Sequence, residues 1–248
     1  MENRVQESEA RSGFGKLIIK NLVTENYKTA EVFEKYGIDF CCKGNRPIEE
    51  ACREKGIDMD ALSAELETAI EKGSQEINRY SLWEPDYLAQ YIVNNHHAYV
   101  KTAIPQTAAH LSKVVNAHGS RHPYIHEVAG LFAAISRELL AHMEKEEVIL
   151  FPMISQLTEI KKSGSDKDLG QLAGIGAPIR AMIYEHDNAG EILEKIRHLT
   201  ENYTLPADAC TTFALTYREL EEFEKDLHKH VFLENSILFT RALEMAKG

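Results

Sequence analysis

Two segments of the chain carry the same pattern, in which a histidine is followed four residues later by a glutamate and then by an apolar run. The first reads HMEKEEVILFPMI from His142, and the second reads HVFLENSILFTRA from His230. On a helix this spacing places His142 beside Glu146, and His230 beside Glu234, on one face. The apolar residues that follow predict that this face is buried. Burying such groups without partners costs several kcal/mol each, so the repeated pattern indicates a bound cation.

Composition limits the classes of partner and compartment. A chain of 248 residues with 44% hydrophobic residues can bury a sizeable core. Its net charge of -11 argues against nucleic acid or an anionic membrane as a partner. No apolar run is long enough to cross a bilayer, and the first residues, MENRVQESEARSG, lack the apolar stretch of a secretory signal. We therefore expect a cytoplasmic protein, and four cysteines without a disulfide-scaffold pattern fit that reducing compartment.

Helical patterns dominate the chain, and no alternating strand run of useful length appears. Three short helices are predicted near the N-terminus, over 29–36, 47–54 and 58–72. The stretch GSQEINRYSLWEP contains helix breakers and polar residues, which indicates a linker. The sequence thus predicts an all-α protein with a small helical domain over 1–76, a linker over 77–84 and a second domain over 85–248.

The second domain contains four long helical stretches with short connections, which favour an up-and-down bundle. They are predicted over 86–117, 123–159, 179–201 and 206–246. Pro105 and Pro152 fall inside the first two stretches, where we expect kinks. The segment KKSGSDKDLG is expected to form a flexible polar loop after the second stretch.

The other two bundle helices each carry one histidine within an apolar stripe. His96 follows Leu88 and Ile92 at helical spacing, and His186 follows Met182 in the same way. Four imidazoles and two carboxylates are too many ligands for one tetrahedral zinc ion, but they suit two metals that share bridging carboxylates. The ligand mix favours iron, with manganese next, in a helix bundle. An open coordination position would bind oxygen, peroxide or nitric oxide.

Four segments together resemble the repair of iron centres family: DFCCKGN, HMEKEEVILFP, YEHDNAGEILEKI and KHVFLENSILFTRAL. Its members are di-iron proteins of the hemerythrin-like group that help restore iron–sulfur clusters after nitrosative and oxidative stress. The resemblance covers nearly the whole chain and implies a small DFCC domain followed by a hemerythrin-like four-helix bundle. It also implies two iron ions per chain, oxo- or hydroxo-bridged, and damaged or apo iron–sulfur proteins as partners.

The resemblance assigns roles to individual residues. The family's iron ligands fall on His96, His142, Glu146, His186, His230 and Glu234, with both glutamates bridging. Its acidic pair, proposed to line a path for iron or solvent, falls on Glu138 and Glu185. Relatives often have a second histidine three residues after the first ligand, where this chain has Tyr99, and His97 instead follows His96 directly. Adjacent helix positions point about 100° apart, so only one of the two can face the metals, and the apolar stripe favours His96.

The remaining histidines are expected on solvated faces or loop ends: His110, His118, His122, His126, His198 and His228. A lone histidine is more often a hydrogen-bonded residue of the fold than a ligand. Cys52 and Cys210 are expected to be structural.

The adjacent thiols of Cys41 and Cys42 would bond to each other only with strain, so no stable internal bridge is predicted. They lie in a glycine-containing loop near Lys43 and Arg46. We expect them to be partly exposed, with lowered pKa values, and reactive toward nitric oxide, metal or a partner thiol. The alternative is that Phe40 and one cysteine simply pack.

Three functions remain open from the sequence. The first is an iron-donor or repair protein, which would deliver iron from a labile site to a damaged cluster. We favour this function over that of a classical enzyme. A di-iron enzyme would reduce nitric oxide or peroxide at an open position. A gas sensor or oxygen carrier would only bind its ligand, and the fused DFCC unit counts against the carrier. Formation of a homodimer also stays open.

Overall fold

The computed structural model describes residues 13–73, 80–164 and 172–247. Over these residues the chain is helical and forms no strand, apart from one isolated bridge between Ile18 and Pro47. The prediction of an all-α fold is therefore confirmed. None of the described helices is long and apolar enough to cross a membrane. Internal contacts divide the chain into two compact units, one up to Trp83 with Phe232–Ile237 and the other formed by the rest.

The first unit contains four short helices among its described residues. They are α1 Ile19–Glu25, α2 Lys28–Lys35, α3 Ile48–Lys55 and α4 Met59–Gly73. Gly37 and Gly56 end α2 and α3 with φ angles of 64° and 66°, which favour glycine because it has no side chain to clash. The Asp58 carboxylate accepts hydrogen bonds from the N–H groups of Asp60 and Ala61 and so caps α4.

The core of the first unit is partly aromatic. Phe33 and Phe40 are buried, and the Phe40 ring lies 5.8 Å from Phe232 and 6.4 Å from Tyr27. These aromatic contacts bury the apolar faces of helices that are too short to be stable alone.

The predicted linker falls partly outside the described residues, at 77–79, and Tyr80–Leu82 forms a short 3-10 turn.

Among its described residues, the second unit contains four long helices, three of which include a π turn. Helix α5 (85–118) consists of Pro85–Ile92, the π turn Val93–His97 and Ala98–His118. Helix α6 (124–163) consists of Tyr124–Lys145, the π turn Glu146–Leu150 and Phe151–Ser163. Helix α7 is Gly176–Leu199, and helix α8 (211–246) consists of Thr211–Phe232, the π turn Leu233–Leu238 and Phe239–Ala246. The segment Phe232–Ile237, grouped with the first unit by its contacts, is thus part of the continuous helix α8.

The ends of these helices differ most from the sequence prediction at two places. Helix α8 begins at Thr211 rather than Pro206, because Ala209 N–H bonds the Pro206 carbonyl in a turn and the Cys210 carbonyl accepts the first helical bond. Helix α6 continues through Ser163, into the segment expected to be a loop. Residues 165–170 of that loop lie outside the described residues.

Helix α6 is in contact with all three of the other long helices. Its first part packs against α5 and α7, and its second part packs against the beginning of α5 and the end of α8. Fully buried side chains such as Ile92, Ile135 and Phe239 fill the space between them. A π turn adds one residue to a helical turn and therefore rotates the faces that follow. The three π turns contain four buried polar residues, His96, His97, Glu146 and Glu234.

Candidate metal centre

Four histidines and two glutamates meet inside the bundle in two overlapping groups. One group consists of His97, Glu146, His230 and Glu234, and the other consists of His142, Glu146, His186 and Glu234. Within each group, one ligand atom from every residue lies within 4.8 Å of the others. The two glutamates belong to both groups, and all six side chains are buried.

The ring nitrogens point at one another across helix boundaries. Nε2 of His97 on α5 lies 3.1 Å from Nε2 of His230 on α8, and 3.4 Å from Oε2 of Glu146 on α6. Nε2 of His142 lies 2.9 Å from Nε2 of His186 on α7, and 3.3 Å from the same Glu146 oxygen. The Glu146 carboxylate thus stands between the histidines of both groups.

The structure brings together five of the six residues that the sequence singled out, but the sixth is His97 rather than His96. His96 is also buried, yet its Nδ1 lies 2.9 Å from Oδ1 of Asp226, and it belongs to neither group. The reason is the π turn Val93–His97, which adds a residue after Ile92. A regular helix would place His96 below Ile92, whereas a π turn gives that position to the residue five places on, which is His97.

The other two π turns begin at or just before a glutamate of the group. One starts at Glu146, four residues after His142, and the other starts at Leu233, just before Glu234. Helical spacing brings each histidine beside its glutamate, as the sequence pattern predicted. The apolar residues that follow the two glutamates are not equally buried. Ile149, after Glu146, is 53% exposed, whereas Ile237, after Glu234, is buried. The buried face of α6 after Glu146 is carried by Leu150 and Phe151 instead.

Each of two histidines is oriented by a carboxylate on its outer side. Nδ1 of His97 donates to Oε1 of Glu147 at 2.8 Å, and Nδ1 of His142 donates to Oε2 of Glu185 at 2.9 Å. With the proton on Nδ1, the inward Nε2 carries the lone pair that a metal requires. The sequence had pointed to Glu185 but not to Glu147.

A lysine completes each of these outer pairs. Lys101 donates to Glu147 at 2.7 Å, and Lys145 donates to Glu185. Partial burial raises the pKa of each carboxyl group, but the hydrogen bonds from the lysine and the histidine outweigh it. The pKa values of Glu147 and Glu185 therefore lie below the usual range, and both groups stay ionised and able to hold their histidines.

The acidic pair expected beside the site is divided by the structure. Glu185 contacts His142, whereas Glu138 is exposed on α6 and lies outside both groups. Glu138 is eight residues before Glu146, about two helical turns away along the same helix. Instead, Glu147, which follows Glu146 in the chain, contacts His97 in the way that Glu185 contacts His142.

The paired cysteines differ from the expectation of exposed, acidic thiols. Cys41 is buried, and its Sγ lies 3.9 Å from Sγ of Cys42 and 3.3 Å from Oδ1 of Asp39. The hydrogen bond with Cys42, burial and the Asp39 carboxylate all raise the pKa of Cys41 well above its usual value. The expected lowering of its pKa is therefore wrong. Cys42 is half-buried, so it is the more accessible thiol of the pair.

The loop that carries the cysteines is tightly folded. The Asp39 carboxylate accepts hydrogen bonds from the N–H groups of Cys41 and Cys42 at 3.0 and 2.9 Å. A Cβ at Gly44 would lie 2.0 Å from the Phe40 carbonyl oxygen, so only glycine fits there. Asp39 and the two thiols form a third group with metal-ligand chemistry.

The chemistry of the central donor set fits transition-metal ions. Imidazole suits iron, zinc, copper and nickel, whereas carboxylates bridge harder ions, and a mixed set of this size exceeds the four ligands of a closed zinc site. Six buried polar groups that approach one another this closely also require a positive charge between them. The four long helices and their shared group define a hemerythrin-type, cation-binding bundle.

Comparison with known families agrees with this class. Residues 88–242 match the Hemerythrin HHE cation binding domain, and residues 16–70 match ScdA_N, described as a domain of unknown function (DUF542). The chain is 32% identical to the iron-sulfur cluster repair protein ScdA of Staphylococcus haemolyticus over 90% of this chain and 96% of that protein. It is 35% identical to the iron-sulfur cluster repair protein YtfE of Enterobacter sp. (90% and 94%) and 34% identical to YtfE of Citrobacter koseri (87% and 91%). The chain belongs to this family of iron-sulfur cluster repair proteins, which combine the two domains.

Proposed function

We propose that this protein repairs damaged iron–sulfur clusters by donating iron from a two-iron site in its bundle. The observation that carries the proposal is the pair of overlapping ligand groups that share Glu146 and Glu234. Two shared carboxylates with two histidines on either side form the donor set of a paired carboxylate–histidine site in a helix bundle.

The proposal assigns one iron to each group. His97 and His230 would hold the first, His142 and His186 the second, and the two glutamates would bridge them. Iron bound in this way would be the ion that is delivered to the client, and it would also supply redox chemistry at the site. Glu147 and Glu185 keep the rings of His97 and His142 oriented, because they accept the Nδ1 protons.

Iron donation, rather than permanent retention, is supported by the charge of the ligand set. Only two of the six ligands are anionic, so two ferrous ions keep part of their positive charge at the site. Water around a departing ion then competes more easily with four neutral imidazoles than it would with additional carboxylates. The clients would be damaged or apo iron–sulfur proteins, as the names of the relatives indicate.

We assign the thiol loop a role in handling the client or its iron. Cys42 is the candidate contact residue because it is half-buried, whereas Cys41 is buried and holds a raised pKa. Cys41 would then support the loop through its contacts with Asp39 and Cys42.

The test is transfer of iron between two purified proteins. The chain, loaded with ferrous iron without oxygen, is mixed with an iron–sulfur protein whose cluster has been damaged by nitric oxide. We expect cluster absorption and client activity to return while iron in the bundle falls. A Glu146→Ala variant that carries no iron should restore nothing. Restoration by that variant equal to the unchanged protein would overturn the proposal.

The cysteine role has its own test in the same assay. Replacement of Cys41 and Cys42 by serine should leave iron in the bundle but slow the recovery of the client. Equal recovery would assign the pair to packing alone. A Cys52→Ser variant is the matched control, because Cys52 is a buried cysteine of the same unit outside the thiol loop.

A second candidate function, reduction of nitric oxide or peroxide, is favoured by a cavity beside the site. The cavity has a volume of about 260 Å³ and is lined in part by Val93, Glu147 and Phe151. Since Glu147 contacts His97, a small molecule in this cavity lies one residue from the ligand group. Consumption of nitric oxide or peroxide over many turnovers, with constant iron content and no transfer to the client, would favour this function over donation.

A further inference from the structure

A second cluster of metal-type ligands lies at the turn between α5 and α6. His118 ends α5, and His122 follows one turn later, where its N–H donates to the His118 carbonyl at 2.9 Å. Asp208 belongs to the turn that precedes α8. One ligand atom from each of these three residues lies within 4.8 Å of the other two. His118 is 21 residues beyond His97 on α5, so the cluster is about 30 Å from the central group.

The side chains of this cluster are in direct contact. Nε2 of His122 lies 2.8 Å from Oδ1 of Asp208, and Nε2 of His118 lies 3.2 Å from Sγ of Cys210. His118 is only 5% exposed, which contradicts its expected place on a solvated loop end. Cys210 is held at the start of α8, since its carbonyl accepts the first helical hydrogen bond. Two imidazoles and a carboxylate are ligands that zinc-type cations prefer.

A positive group already lies among these ligands. Nη2 of Arg121 donates to Nδ1 of His118 at 3.0 Å, and its Nε lies 3.2 Å from Oδ2 of Asp208. The guanidinium thus bridges an imidazole and a carboxylate at the position where their electrostatic potential favours a cation. The Arg121 side chain is 59% exposed, so it can turn into solvent at little cost.

We propose that His118, His122 and Asp208 form a second metal site, which binds one divalent cation of the zinc class after Arg121 turns outward. Cys210 contacts the other ring nitrogen of His118, Nε2, and would hold that ring in place, while water would complete the coordination of the ion. The cation would tie the turn after α5 to the segment before α8. This role is separate from the proposed repair function, because none of these residues belongs to the central group.

The test is a zinc titration of the protein already loaded with iron, against a chromophoric chelator, with iron measured before and after. We expect about one equivalent of zinc to bind without loss of iron, and thermal unfolding to shift upward with zinc. His122→Gln and Asp208→Asn should each weaken zinc binding by at least about tenfold. Both residues are at least partly exposed, so these variants should fold and keep their iron.

Two further variants sharpen the result. His198→Gln alters an exposed histidine at the end of α7 and should bind zinc as the unchanged protein does. Arg121→Ala removes the competing guanidinium and should bind zinc more tightly.

Three results would overturn the second site: no zinc bound beyond the iron, zinc taken up only as iron is lost, or equal affinity in His122→Gln, Asp208→Asn and the unchanged protein. Iron content and client restoration in the same variants report on the central group alone. Failure of the second site and failure of the repair function are therefore distinguishable.

Discussion

The Nε2 atoms of His97 and His230 lie 3.1 Å apart in the buried centre of the bundle, although the two residues are on α5 and α8. His96, the neighbour of His97, stacks on the same His230 ring at a centroid distance of 5.7 Å but directs its Nδ1 at Asp226. Two adjacent histidines therefore have different surroundings. One completes a group of candidate metal ligands, and the other packs behind it.

Mutation of each histidine in turn should distinguish the roles of His96 and His97. We expect His97→Ala to weaken iron binding by more than the roughly 10- to 100-fold that loss of an outer partner causes, because a direct donor is lost. His96→Ala should keep its iron, since the Nε2 atoms of the two groups stay in place. The iron content per chain and the optical spectrum, recorded after anaerobic loading, measure iron binding in both variants. Loss of iron in His96→Ala with retention in His97→Ala would assign the ligand to His96.

The shared glutamate predicts a difference between losing one metal and losing two. Glu146 belongs to both groups, whereas His186 belongs to only one. We expect Glu146→Ala to abolish binding of both irons and His186→Ala to retain part of the iron. Metal analysis and far-UV circular dichroism of the iron-free forms distinguish lost ligands from lost folding. Identical residual iron in the two variants would argue against a shared carboxylate.

The outer carboxylates predict a graded effect on affinity. Glu147→Gln and Glu185→Gln should each lower iron affinity by about 10- to 100-fold, because a neutral amide holds the Nδ1 proton less strongly than a carboxylate. Glu138→Gln is the matched control, since Glu138 is exposed on the same bundle. Competition with a ferrous chelator measures the three affinities. A larger loss in Glu138→Gln than in Glu147→Gln would restore the acidic pair inferred from the family resemblance.

The all-helical class and most of the proposed ligand group could be predicted because their signals are local. A histidine and a glutamate four residues apart share a helix face whatever surrounds them, so His142 with Glu146 and His230 with Glu234 followed from spacing. His186 followed from an apolar stripe on a helix without a π turn. In each case the chain itself fixes which way the side chain points.

His97 and Glu147 could not be predicted in the same way, because a π turn changes the register without a distinct sequence signal. The apolar stripe through Leu88 and Ile92 continues to His96 only if the helix stays regular. Glu147 carries no pattern of its own, since glutamate is common on helix surfaces, and its role arises from His97 on another helix. Likewise, the contact of Asp208 with His122 joins residues 86 positions apart.

The raised pKa of Cys41 predicts a low reactivity that rises only in alkali. Its contact with Cys42, burial and the Asp39 carboxylate all favour the protonated thiol, so little thiolate exists at neutral pH. Alkylation of Cys41 should therefore accelerate at a higher pH than that of a free cysteine. In Cys42→Ala the largest of these causes is removed, and the midpoint should move to lower pH. Iodoacetamide labelling followed by mass spectrometry over a pH series measures both, with Cys52→Ser excluding label on the other buried thiol of the first unit. Rapid alkylation of Cys41 at neutral pH in the unchanged protein would contradict the buried, protonated thiol.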